Sequence, residues 1–210
     1  MVGFGYTSIF SVIIGLVRFK KILKQYRLFI VFLSLGFLND VLSPVIIKYW
    51  HTNAANANVY VLIESILLVF LFYNWDSFGK KILYFLVGLF VVVWAAENLV
   101  YGSIFRLNSF FRLFYSLAVV ILSIDQINLT MMHERKNLFR NARFIICCLF
   151  AFYYTFKATY EVFYFVPLRM SNGFYDNLFL ILVFVNLFAN LGYALAVLWI
   201  PTKQKFTLPY

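Results

Sequence analysis

The chain has 210 residues, of which 64% are hydrophobic, 22% aromatic and only 12% charged. Soluble domains carry about 25% charged residues, so this composition excludes an ordinary water-soluble fold. The net charge of +10 would suggest nucleic acid in a soluble protein, but the basic residues cluster in alternate connections between apolar segments, so no nucleic-acid partner is expected.

Seven apolar segments predict an all-α, polytopic transmembrane bundle of about seven helices, in one integral-membrane domain covering residues 1–210. The first segment precedes its flanking positive charges, which is the reverse of a cleavable signal peptide, so we expect it to be retained as a span. The spans are predicted at residues 2–19, 28–50, 58–75, 82–100, 110–132, 144–165 and 175–200.

The distribution of basic residues predicts the orientation of these spans. Most of the 18 Lys and Arg residues fall after spans one, three and five or in the C-terminal tail. Basic connections stay in the cytoplasm, so the N-terminus is predicted outside and the C-terminus inside. The residues on this predicted cytoplasmic side are Arg18, Lys20, Lys21, Lys24, Arg27, Lys80, Lys81, Arg135, Lys136, Arg140, Arg143, Lys203 and Lys205. The opposite side holds Lys48, Arg106, Arg112 and Arg169.

Several charged side chains fall within the predicted spans. A charge at membrane depth costs about 2.5 to 3.5 kcal/mol on insertion scales, so these side chains should face the bundle interior or a cavity. In the predicted orientation most lie central or toward the outside, which predicts an outward-facing polar pocket for a small ligand or lipid group. The candidate pocket residues are Asp40, Glu64, Glu97, Arg112, Lys157 and Glu161.

Less specific explanations exist for some of these residues. Lys157 and Glu161 are four residues apart on one helix face and could form an intrahelical ion pair. Glu64 and Glu97 could each serve only as hydrogen-bond acceptors in a packed bundle. Pro44 lacks an N–H and so frees the carbonyl of Asp40, which predicts a kink with a polar backbone group beside an acid.

Span seven carries a polar stripe at spacings of four and three residues, formed by Asn186, Asn190 and Tyr193. Helix packing explains this stripe most simply, since Gly192 beside it permits close approach of a neighbouring backbone. The sequence contains no HExxH, Gly-rich phosphate loop, GxSxG or Cys and His cluster, so we assign no catalytic residue and expect no metal or other cofactor.

Long stretches of the chain resemble a group of uncharacterised seven-span membrane proteins common in Bacteroidota. The stretches are YVLIESILLVFLFY in span three, RLFYSLAVVILSI in span five and LFLILVFVNLFANLGYALAVLW in span seven. Members of that group are often encoded near sensor kinases. The resemblance therefore implies a signalling or accessory role in a bacterial inner (cytoplasmic) membrane, without identifying a catalytic residue.

A fainter resemblance is to lysoplasmalogenase-type membrane hydrolases, which carry Gly-Asp and Ser-Asp pairs on separate spans. Here FLND ends at Asp40 and LSID ends at Asp125, and Asn39 stands where that family has glycine. This sequence also has one predicted span fewer, which puts the hydrolase function in doubt.

Three functional hypotheses remain open on the sequence. The favoured one is a non-enzymatic sensor or accessory subunit that binds membrane lipids and a protein partner, either at its cytoplasmic loops or within the membrane. The second is a small transporter or channel with the intramembrane charges along its route. The third is a membrane-embedded lipid hydrolase in which Asp40 or Glu64 acts as a general base.

Overall fold

The computed structural model describes residues 7–133, 138–166 and 171–202. These ranges contain seven α-helices: α1 (Ser8–Arg18), α2 (Arg27–Trp50), α3 (Ala54–Asn74), α4 (Lys80–Ala95), α5 (Phe110–His133), α6 (Ala142–Phe165) and α7 (Asn172–Trp199). The helices α2 to α7 are long and apolar enough to cross a membrane, counting the π-helical continuation of α4. The predicted all-α, multi-pass bundle is confirmed.

The described residues of the predicted first span form helix α1. The described helix α1 has 11 residues and is about 16 Å long, roughly half of a hydrocarbon core. Its two ends are fixed against α7, where Asn190 donates to the Thr7 hydroxyl at 3.4 Å and Arg18 bonds the last carbonyls. Helix α1 therefore extends from one end of the bundle to about mid-depth.

Helices α3 and α7 begin earlier than predicted, where side chains form interhelical or capping hydrogen bonds. Helix α3 begins within the polar stretch before Asn58, and Asn56 Nδ2 there donates to Asn39 Oδ1 of α2 at 2.8 Å. Helix α7 begins at Asn172, and the preceding Ser171 hydroxyl accepts from Phe174 N at 3.3 Å. These polar segments are helix starts that the sequence suggested were loops.

Six helices surround the core in the order α1, α2, α3, α5, α6 and α7, and α4 packs outside against α3 and α5. The most extensive packing is between the antiparallel helices α5 and α6. Phe150 of α6 lies at the centre of an aromatic core, with its ring centroid 6.0 Å from Phe29, 6.2 Å from Phe72 and 5.6 Å from Tyr193. Edge-to-face packing of this kind stabilises a core beyond the apolar area it buries.

The two ends of the bundle differ in charge. The end at which α1, α3, α5 and α7 finish and α2, α4 and α6 start is called the basic end, and its described basic residues are Arg18, Lys20, Lys21, Lys24, Arg27, Lys80, Lys81, Arg140 and Arg143. The other is called the far end and carries Lys48, Arg106 and Arg112. Residues 2–6 of the predicted first span, Arg135, Lys136, Arg169, Lys203 and Lys205 lie outside the described residues.

Candidate functional site

The carboxylate of Glu64, in the middle of α3, is the centre of a buried polar cluster. Its Oε1 accepts from Tyr154 at 2.9 Å and from Tyr60 at 3.4 Å. Its Oε2 accepts from Tyr115 at 2.6 Å and from the Lys157 ammonium at 3.2 Å. Each carboxylate oxygen of Glu64 thus accepts from two donors. The cluster joins α3 to α5 and α6.

The ammonium of Lys157 is held by aromatic rings as well as by Glu64. Its Nζ lies 5.0 Å from the ring centroid of Tyr115, 5.3 Å from that of Tyr154 and 5.7 Å from that of Tyr153, and it also hydrogen-bonds the Tyr115 hydroxyl. The Tyr115 contact is made through its hydroxyl at the edge of the ring, so it is a hydrogen bond and not a contact with the ring face. The charge of Lys157 is thus compensated by Glu64 and by tyrosine side chains.

A second ion pair lies nearer the far end. The Arg112 guanidinium of α5 is 3.8 Å from Glu161 of α6 and donates to Asn58 Oδ1 at 3.4 Å. Asn58 Nδ2 in turn donates to the carbonyls of Ile104 and Arg106, at 3.0 and 2.7 Å. This pair therefore fastens the loop between α4 and α5 to the helices.

The intrahelical ion pair considered for α6 does not form in the described part of the chain. Lys157 pairs with Glu64 on α3, and Glu161 pairs with Arg112 on α5. Both carboxylates are buried, and each has a cation from a different helix as its partner.

Glu97 caps a helix. The π-helical turn Ala96–Tyr101 that continues α4 places its carboxylate over the start of α5, where Oε1 accepts from Phe110 N at 2.8 Å and Oε2 from Phe111 N at 2.7 Å. A carboxylate is favourable there because the first N–H groups of a helix lack partners and carry partial positive charge. Glu97 therefore positions α5 and does not line the cavity described next.

A cavity of about 180 Å³, called the central cavity, lies between α1, α2, α3, α6 and α7. The structure brings three of the predicted charged residues and the polar stripe of α7 to its walls: Asp40, Glu64, Lys157, Asn186, Asn190 and Tyr193. The stripe accordingly faces a polar space as well as contributing to packing. Asp125 is exposed on α5 and shares no cavity with Asp40 among the described residues.

Two polar groups on the wall of the central cavity lack partners within the part of the chain that the structure describes. No hydrogen bond or ion pair there engages the Asp40 carboxylate, whereas that of Glu64 is fully engaged. The buried hydroxyl of Tyr193 also has no partner. The cavity contains two carboxylates and one ammonium, so its wall has an excess of negative charge when all three are ionised.

The size and donor set of the central cavity limit what it can hold. Its volume is below the roughly 300 to 1,000 Å³ typical of sites for drug-sized ligands, and at about 30 Å³ per water it holds roughly six waters. Among the described residues no three His, Cys, Asp or Glu side chains are grouped as metal ligands. An alkali cation, a small amine or water fits these dimensions, and a lipid chain does not.

The sequence revealed the charges but not the tyrosines that surround them. Tyr60, Tyr115 and Tyr153 carry no signal in a chain with 15 tyrosines, since tyrosine is also common at membrane interfaces. The spacing of four residues between Tyr60 and Glu64 was the one sequence feature that indicated a contact between a tyrosine and this acid.

Comparison of the chain with protein-family models, curated proteins and solved structures gives no match. The functional argument therefore rests on the central cavity and on the charges at its walls.

Proposed function

We propose that the protein is a multi-pass membrane sensor or accessory subunit whose central cavity binds a small cation. The observation that carries this proposal is the Asp40 carboxylate, which faces the cavity without a partner among the described residues, beside a Glu64 carboxylate that is already satisfied. An isolated carboxylate at membrane depth costs free energy, and a cation that pairs with it offsets a large part of that cost.

The neighbouring groups favour a cation over an anion. Asn186 and Asn190 line the cavity, where Asn186 Oδ1 already accepts from Asn190 Nδ2 at 3.5 Å, and the Tyr193 hydroxyl oxygen is an available acceptor. The Lys157 ammonium would attract an anion, but it is paired with Glu64 and hydrogen-bonds the Tyr115 hydroxyl. The ligand class is therefore an alkali cation or a protonated amine of a few heavy atoms.

Binding at Asp40 offers a route from ligand to helix position. Asp40 lies on α2, while the other acceptors lie on α7, so a shared cation draws these two helices together. Pro44 removes one backbone hydrogen bond from α2 just beyond Asp40, which lowers the cost of moving the last turns of that helix. The bundle then has two arrangements, with the last turns of α2 nearer to α7 or farther from it. The cation shifts the equilibrium between them by the difference in its affinity for the two.

In this proposal the basic end faces the cytoplasm of a bacterium, and the far end faces outward across the inner membrane. The excess of lysine and arginine at the basic end supports this orientation. A protein partner contacts the basic-end loops or the helices within the membrane and responds to the change in helix position. The resemblance to the seven-span proteins of Bacteroidota supports a signalling partner.

Extraction of the tagged protein from its own membrane in mild detergent tests the accessory role. Quantitative mass spectrometry of wild type should find one protein partner in near-stoichiometric amount, and Asp40→Asn should change the amount retained by severalfold. Asp125→Asn is the matched control, because it removes the same charge outside the cavity. Recovery of wild type as a lone monomer would contradict the proposal.

A second candidate function is cation transport. The central cavity supports it, because an unpaired acid beside an ion pair at mid-depth is an arrangement that ion pathways use. Sealed liposomes with a fluorescent reporter would measure flux of protons, potassium or methylammonium. Flux that Asp40→Asn abolishes and Asp125→Asn retains would favour transport, and no flux of any of the three would exclude transport of these cations.

A further inference from the structure

A second and larger cavity opens at the basic end of the bundle. It has a volume of about 770 Å³, which is within the range of small-molecule sites. Its walls come from the segment before α2, the residues that follow α3, the end of α5, the turn before α6 with the start of α6, and Pro201 beyond α7. It is separate from the central cavity and shares no lining residue with it.

The cavity has an aromatic floor and a fixed cation. Tyr26 and Trp75 line it and are buried, with ring centroids 5.9 Å apart. The Arg143 guanidinium lies 5.8 Å from the Trp75 ring, donates to the Trp75 carbonyl at 3.3 Å and donates to Gln25 Oε1 at 3.3 Å. A guanidinium has five N–H donors, so Arg143 is held in place with donors left over.

Other charges on the wall add to this positive potential. Arg140 lines the cavity from the turn before α6 and is exposed. The start of α6 contributes partial positive charge, although its first N–H groups already bond the Asn141 side chain at 2.8 and 3.3 Å. Asp76 is the acidic residue among the described lining residues. Two arginines therefore face one aspartate around an open cavity.

We propose that this basic-end cavity binds a phosphate group, with Arg143 and Arg140 as its cationic contacts. Guanidinium pairs bidentately with phosphate oxygens, and basic pockets between helix ends bind the headgroups of anionic lipids. The phosphate belongs either to an anionic phospholipid or to a soluble phosphate compound. The cavity opens at the basic end of the bundle, so both sources can reach the site.

Native mass spectrometry of the delipidated, full-length protein in detergent tests this proposal, with phosphatidylglycerol and phosphatidylcholine as lipid probes. Inorganic phosphate and glycerol 3-phosphate, followed by thermal unfolding, probe the soluble source. Binding of phosphatidylglycerol alone identifies a lipid headgroup, and binding of the soluble compounds identifies a free phosphate ligand. Either result supports the site if the binding affinity depends on the residues that line the cavity.

Three variants establish that dependence. Arg140→Gln removes an exposed cation without touching the Trp75 contacts and should weaken binding about fivefold or more. Asp76→Asn removes the opposing charge and should strengthen binding, and asparagine tolerates the positive φ of 60° found there. Lys81→Gln removes a basic-end charge outside the cavity and should leave affinity within about twofold.

Equal weakening by Arg140→Gln and Lys81→Gln would overturn the proposal, since the attraction would then be general to the basic end. Weaker binding in Asp76→Asn would also overturn it. So would the absence of binding by phosphatidylglycerol, inorganic phosphate and glycerol 3-phosphate in wild type.

Discussion

Lys157 of α6 pairs with Glu64 of α3, with 3.2 Å between the ammonium nitrogen and Oε2, and only 12% and 5% of the two side chains are exposed. Removing one partner of a buried pair leaves the other charge uncompensated, which costs about 3 to 5 kcal/mol. Lys157→Met should therefore destabilise the protein by that amount in denaturant unfolding followed by tryptophan fluorescence.

The double variant Glu64→Gln, Lys157→Met provides the control for that prediction. Both charges are then absent, so it should recover much of the stability lost in Lys157→Met alone. Additive losses in the double-variant cycle would show that the two side chains do not act as a pair.

Glu97 should stabilise α5 by capping it. Both carboxylate oxygens accept backbone N–H groups of α5, so Glu97→Ala should cost about 1 to 2 kcal/mol in the same unfolding measurement. Asp176→Ala removes an exposed acid on α7 and serves as the matched control, with an expected change within about 0.5 kcal/mol. An equal effect of both changes would argue against the cap.

Arg18 should hold α1 to the end of α7. Its guanidinium donates to the carbonyls of Val197 and Leu198, at 2.6 Å each, and to that of Ile200 at 3.2 Å. Hydrogen bonds from a charged donor contribute about 1.5 to 3 kcal/mol, so Arg18→Gln should lower stability by that amount and speed proteolysis near α1. Lys20→Gln, which changes an exposed neighbouring charge, should do neither.

Two glycines should respond differently to substitution by alanine. A Cβ on Gly192 would lie 2.7 Å from Leu149 Cδ1, whereas a Cβ on Gly88 would meet nothing within 4 Å. Gly88→Ala should stabilise α4 by up to about 1 kcal/mol through helix propensity. Gly192→Ala should gain less or destabilise, because Leu149 must move. Equal stabilisation of both variants would refute close packing of α6 on α7.

The spans were predictable because length and hydropathy are local properties. Predicted and observed limits differ by a few residues for α2 to α7, and α3 and α7 begin earlier than predicted where polar side chains form hydrogen bonds. The charged candidates were also predictable, since an acid such as Asp40 or Glu64 within an apolar run is rare and must face inward.

Pairing within the bundle was not predictable, because it depends on which helices become neighbours. The spacing of Lys157 and Glu161 indicates a local pair, but Lys157 reaches Glu64 on α3 and Glu161 reaches Arg112 on α5. The basic-end cavity was missed for the same reason. Trp75 and Arg143 are in contact but far apart in sequence, which predicted only a cytoplasmic position for Arg143.

Cation binding at Asp40 is the central claim, and thermal unfolding of the purified protein with added methylammonium or potassium tests it most directly. A ligand that binds only the folded state raises stability by about 2.7 kcal/mol at 100 times its dissociation constant. The midpoint should rise with concentration in wild type and in Asp125→Asn, and should not change in Asp40→Asn. An equal rise in Asp40→Asn, or no rise in wild type with either cation, would contradict the claim.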